Sequence, residues 1–107
     1  MNPKLDSSET EQLMEAILAL NDKDECCRFF EDICTVHEIQ SLAQRWAVAV
    51  KLRRGVTYHK IADETGASTA TISRVNRCLS YGADGYTLVL DRLGVTKTEN
   101  GKENAND

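Results

Sequence analysis

Apolar residues along this chain return at intervals of three and four almost throughout, the spacing that lays them along one side of an α-helix. Between Ser8 and Leu20, the residues Leu13, Met14, Ile17, Leu18 and Leu20 describe one broad face and predict a first amphipathic helix. Asn21 and Asp22 supply a stop and a new cap. A second helix over about 22–34 then gathers Cys26, Phe29, Phe30 and Ile33 on one side and acids on the other. Thr35 opens a third helix with a capping box, because Glu38 stands three residues on and can reach back to the Thr35 amide. Between Val36 and Arg53, the positions Ile39, Leu42, Ala43, Trp46, Ala47 and Val50 cover one face, and Val48 and Leu52 carry it further around the cylinder. A helix apolar on more than one side is central to its fold or shared with a second subunit.

Gly55 ends this helix as a C-cap glycine. Two short helices follow, over about 58–65 capped by Thr57 and over about 69–79 capped by Ser68, with Thr65-Gly66-Ala67 between them. Gly82 and Gly85 bracket another break, and Tyr86–Leu93 closes the helical pattern. Within it, Thr87-Leu88-Val89-Leu90 reads as a strand in isolation but has no partner strand elsewhere. From Lys97 onward only Ala105 is apolar, so the tail is expected to be disordered. The expected organisation is one helical domain over residues 1–94 and an acidic, polar tail over 95–107.

The stretch Tyr58–Arg77, YHKIADETGASTATISRVNR, has the spacing of a helix-turn-helix, placed at about 57–79. Ala62 is small where one helix must approach the next, and Gly66, four residues on, can adopt the positive φ of a sharp turn. Ile72 and Val75 fall on the inward face of the second helix, against Ile61. That leaves Ser68, Thr69, Ala70, Thr71, Ser73, Arg74, Asn76 and Arg77 outward, none bulky and none acidic. Small and hydroxylated residues permit close approach to a major groove, where Arg and Asn read base edges or hold phosphates.

Charge first argues against this and then for it. The 107 residues carry 13 basic and 17 acidic side chains, a net −4. By segment, however, residues 1–39 stand at −7, residues 40–81 at +5 and residues 82–107 at −2. The basic block holds Arg45, Lys51, Arg53, Arg54, Lys60, Arg74 and Arg77, opposed only by Asp63 and Glu64. Duplex binding depends on that local field rather than on the total. No apolar run approaches the roughly 20 residues of a membrane span, and the polar N-terminus does not read as a signal peptide, so a soluble cytoplasmic protein is expected. Cys26, Cys27, Cys34 and Cys78 follow no metal or disulfide spacing and are expected to be small buried thiols on helix faces. His37 and His59 lack any partner at metal-binding spacing, and no nucleophile with a base or carboxylate pair suggests an enzyme.

With TVHEIQSLAQRWAVAVKLRRG in the third helix and GASTATISR in the recognition helix, the chain resembles the Trp repressor family, and within it the Trp-repressor-like YerC/YecD group of Gram-positive bacteria. The resemblance runs from about Cys34 to Gly94. It implies an all-α, six-helix fold whose N-terminal helices interlock two copies into an intertwined homodimer, with two reading heads about 34 Å apart on double-stranded DNA. The expected DNA contacts are Ser68, Thr69, Ala70, Thr71, Ser73, Arg74 and Arg77, with Arg54 and Lys60 on phosphates.

The same resemblance implies a corepressor site at Thr35, Arg45 and Arg74, where one guanidinium pairs with a carboxylate and the other stacks on an indole. Val75, however, stands where a Trp repressor has a glycine that leaves room for the indole, and it is expected to fill that space. The resulting expectation is a DNA-binding transcriptional regulator, a repressor, that needs no cofactor. Two alternatives remain: a repressor responsive to L-tryptophan or another small molecule, and a helical protein-interaction module without DNA binding.

Overall fold

The computed structural model describes residues 1–97. Six α-helices follow a short 3-10 turn at Pro3–Leu5: α1 Ser8–Leu18, α2 Lys23–Ile33, α3 Val36–Arg53, α4 Tyr58–Thr65, α5 Thr69–Tyr81 and α6 Gly85–Arg92. The fold is all-α, with no strand among the described residues; Thr87–Leu90 lie within α6. Residues 98–107 of the expected tail lie outside the described residues. The chain divides into two compact units, Met1–Gln40 and the remainder from Ser41 onward.

In the first unit, side chains that replace missing helical partners set the helix starts. Ser7 accepts from the Thr10 amide at 3.1 Å, and Asp22 accepts from the Glu25 amide at 2.9 Å. The expected capping box of α3 is present: the Thr35 N–H donates to Glu38 Oε1 at 2.8 Å, and the Glu38 N–H donates to Thr35 Oγ1 at 3.1 Å. The bond from the Thr35 amide, followed by one from the Thr35 side chain, favours the ionised carboxylate and holds Glu38 below its ordinary pKa. α1 ends at Leu18 rather than Leu20, because its last turn tightens, with the Leu20 N–H bonding to the Ile17 carbonyl.

No residue of this unit is buried, and Leu18 is 83% and Ile33 52% exposed. The expectation of buried thiols fails here: Cys26 and Cys27 are exposed, and Cys34 is only partly covered, as is Cys78 in the second unit. Two short helices have too little surface to enclose a face between them.

The second unit has a true core of Val48, Ala49, Val56, Ile61, Ala67, Ile72 and Val75, with Trp46, Leu52, Ala62 and Tyr86 packed against it. Its spine is the part of α3 from Ser41 onward, which uses opposite faces. Gln44, Val48 and Lys51 recur at i, i+4 and i+7 and turn toward α4, where Lys51 pairs with Glu64 at 3.0 Å. About half a turn away, Trp46 stacks on Tyr86 of α6 with ring centroids 6.3 Å apart, and Arg53 pairs with Asp91. Two sides of α3 are thus used within the unit, where it buries Val48 and Ala49, while Leu42 and Ala43 of the expected face are exposed.

Both α3 and α6 end in a Schellman motif. Gly55 at φ 85° lets the Val56 N–H reach the Lys51 carbonyl, and Gly94 at φ 72° does the same for Val95 and Leu90. α5 runs two residues beyond the sequence expectation and stops at Gly82, where a Cβ would lie 2.5 Å from the Cys78 carbonyl oxygen. α6 starts at Gly85 after Asp84 adopts a left-handed φ of 65°, a conformation Asp tolerates better than most residues.

Ile72 is fully buried at the centre of the cluster, so Ile72→Ala should lose about 3 kcal/mol through lost transfer energy plus a cavity. Urea denaturation followed by circular dichroism should show a lower midpoint with an unchanged slope.

Candidate nucleic-acid interface

The two helices of the motif meet at a connection built by one threonine. Thr65 donates its hydroxyl to the Ile61 carbonyl at 2.7 Å and accepts from the Ala67 N–H at 3.1 Å. Gly66 between them sits at φ 74°, the left-handed region that a side chain penalises. Gln44 of α3 reaches this turn and donates from Nε2 to the Thr65 carbonyl at 3.1 Å. Ser68 then caps α5, accepting from the Thr71 N–H at 3.1 Å and donating to Thr71 Oγ1 at 3.1 Å. Its hydroxyl proton is therefore committed to the cap.

α5 is divided lengthwise. Ile72 and Val75 are buried together with Ile61, as their spacing predicts. Thr69, Ala70, Ser73, Arg74, Asn76 and Arg77 are exposed, and Thr71 is partly covered. Ala70, Ser73, Arg74, Arg77 and Cys78 line a shallow recess of about 480 Å³ along the helix. Lys60 is exposed on α4, and Arg54 is partly buried just past the end of α3. Among the described residues, Lys60, Arg74 and Arg77 engage no carboxylate.

Helix ends add to the field. The first turns of α1, α2 and α3 carry Glu or Asp, whereas those of α4 and α5 carry none. The positive N-terminal dipoles of the two motif helices, like that of α6, are thus not offset by an acidic side chain in the first turn.

A helix pair joined through Gly66-Ala67-Ser68, with an exposed face of small, hydroxylated and basic residues, matches the family to which the sequence compares. The Trp repressor protein family model matches residues 8–94, so the match begins with α1 and is not confined to the motif. The chain belongs to the Trp repressor family. It is 62% identical over 96 residues to the uncharacterized protein YerC of Bacillus subtilis, a match covering 90% of this chain and 92% of that one. Among solved structures it is similar to a TrpR-like protein from Eubacterium eligens, with a TM-score of 0.87 and 58% identity, covering 91% of this chain and all of the other. A candidate Trp repressor from Staphylococcus aureus is 49% identical with a TM-score of 0.87, covering 92% of this chain and 99% of that one.

Of the three residues that family resemblance nominates for a corepressor, Arg45 and Arg74 are both exposed, and both favour ionisation of the Tyr86 phenol. Thr35 belongs to the other unit, where it caps α3. Val75 is 2% exposed and sits within the core cluster. Trp46, Cys78, Ala83, Gly85, Tyr86 and Val89 line an open groove of about 460 Å³ that does not include Val75. Neither the Trp46–Tyr86 stack nor the Gln44 bond was anticipated. The apolar pattern marked Trp46 as core without naming its partner, and a lone glutamine carries no signal of a carbonyl 21 positions away.

Burial is the largest influence on the Tyr86 phenol and raises its pKa; Cys78 adds to the rise, while Arg45 and Arg74 oppose it. Because the folded value is raised, the associated stability is complete below the ordinary value of 10.0 and is lost as pH rises through the folded value. Ultraviolet titration should therefore show one late-titrating tyrosine that disappears in Tyr86→Phe.

Proposed function

We propose that the protein is a sequence-specific DNA-binding transcriptional regulator, a repressor, that acts as a homodimer through the α4–α5 helix-turn-helix. The observation carrying this reading is the exposed face of α5, which presents Thr69, Ala70, Ser73, Arg74 and Arg77 without one acidic residue, on a fold shared with the Trp repressor family. Thr69 and Ala70 open the helix, the part of a recognition helix that meets base edges, while Arg74 and Arg77 lie one turn and two turns further on. Lys60 and Arg54 flank it as phosphate contacts, and the Ser68 hydroxyl serves the helix start.

Dimer formation is supported by the first unit. α1 and α2 expose Met14, Leu18 and Ile33 and bury nothing, a surface that a second copy of the same chain would cover. The −7 charge over residues 1–39 suits a frame that keeps clear of phosphates. No helix among the described residues is long and apolar enough to cross a membrane.

The corepressor reading is weakened by Val75, whose side chain contributes to the core that fixes α5. The reading head is then held without a small molecule, and Arg45 and Arg74 are available to phosphates. Calorimetric titration with L-tryptophan should give no saturable heat at micromolar concentrations; a stoichiometric isotherm would overturn this part of the reading.

The DNA reading is tested by selecting bound fragments of bacterial genomic DNA and measuring affinity for the enriched duplex against salt. Affinity should fall steeply with salt, and Lys60→Ala should lower the slope by about two in a homodimer, one per copy. A flat dependence, or no enriched duplex, contradicts it.

A further inference from the structure

We infer that Gln44 is a positioning residue for sequence discrimination: it fixes the turn that aims α5, although it lies on α3 and outside the helix-turn-helix. The inference rests on the DNA-binding reading above and adds a residue to it. The last carbonyls of any α-helix lack an intrahelical donor. At the end of α4, the Thr65 carbonyl receives one from Gln44 Nε2 at 3.1 Å, a cap supplied from 21 residues away.

That carbonyl immediately precedes Gly66, so the bond acts at the point where the chain changes direction. A Cβ built on Gly66 would meet Gln44 Nε2 at 4.0 Å, which places the side-chain amide directly against the turn. The Thr65 hydroxyl extends the connection by bonding to the Ile61 carbonyl behind it and the Ala67 amide ahead. Two turns further along the same stripe of α3, beyond Val48, Lys51 holds Glu64, the neighbour of Thr65. α3 therefore grips two consecutive residues at the C-terminal end of α4, and Gln44 is the grip nearest α5.

The two kinds of DNA contact should respond differently to its loss. Hydrogen bonds to base edges require a recognition helix held within about 10–20° of its proper direction. Attraction between guanidinium groups and phosphates tolerates a looser helix. Removing the Gln44 donor should therefore cost specific binding and spare non-specific binding.

Gln44→Met keeps the length and apolar stem without a donor, and Gln44→Glu keeps the shape but replaces the donor with an acceptor. Hydrogen exchange is measured at Ala67, in the turn, and at Ile72, in the core; duplex affinity is measured on the enriched fragment and on an unrelated sequence of equal length. In both variants Ala67 should exchange faster while Ile72 does not. Affinity for the enriched duplex should fall about tenfold, with affinity for the unrelated duplex and its salt slope unchanged. Unchanged exchange at Ala67 overturns the inference. So does retention of full specific affinity, or an equal fall on both duplexes. A wild-type protein that prefers no duplex overturns the DNA-binding reading instead, and the Ala67 exchange still decides whether Gln44 fixes the turn.

Discussion

The second unit depends on a small apolar contact in which Val48 of α3, Ile61 of α4 and Ile72 and Val75 of α5 share one buried cluster. α3 is the long member, and the two motif helices are short enough to need it, since isolated helices below about 12–15 residues are marginal in water. α4 has 8 residues and α5 has 13, so their form is maintained by what they bury. Once Ile72 and Val75 face inward, helical geometry forces Ala70, Ser73, Arg74 and Arg77 outward. The exposed face of α5 is thus the complement of the core. Val75, 2% exposed, belongs to the core and not to that outward face.

Charge follows the same division. The boundary between the compact units falls at Gln40, one residue past the point where the acidic segment at −7 gives way to the basic segment at +5. In the second unit, Lys51 and Glu64 neutralise each other while holding α3 to α4, and Arg53 is committed to Asp91. The cations left without carboxylate partners among the described residues include Lys60, Arg74 and Arg77, on the motif itself. A net charge of −4 is therefore compatible with a basic segment at +5, because screening over about 8–10 Å makes local charge count for more than the total.

Local chemistry made much of this legible in the sequence. The Thr35–Glu38 box, the caps at Thr57 and Ser68 and the glycines at 55 and 66 each act over five positions or fewer, and the structure holds each of them as read. The inward positions Ile61, Ile72 and Val75 followed from helix-turn-helix spacing. Features joining distant residues were not legible: the Gln44 bond to Thr65, the Trp46 stack on Tyr86 and the Arg53 pair with Asp91 depend on how helices cross. The cysteines of α2 were misread because an amphipathic pattern specifies a face to be covered and does not say whether this chain covers it.

The central claim is that two copies of this chain present two α5 helices to one duplex, and hydroxyl-radical footprinting of the wild-type protein on its enriched fragment tests it most directly. The account predicts two protected patches related by a two-fold axis, with centres about 10 base pairs, or one helical turn, apart. A single protected patch, or uniform protection that moves with the fragment ends, would contradict it.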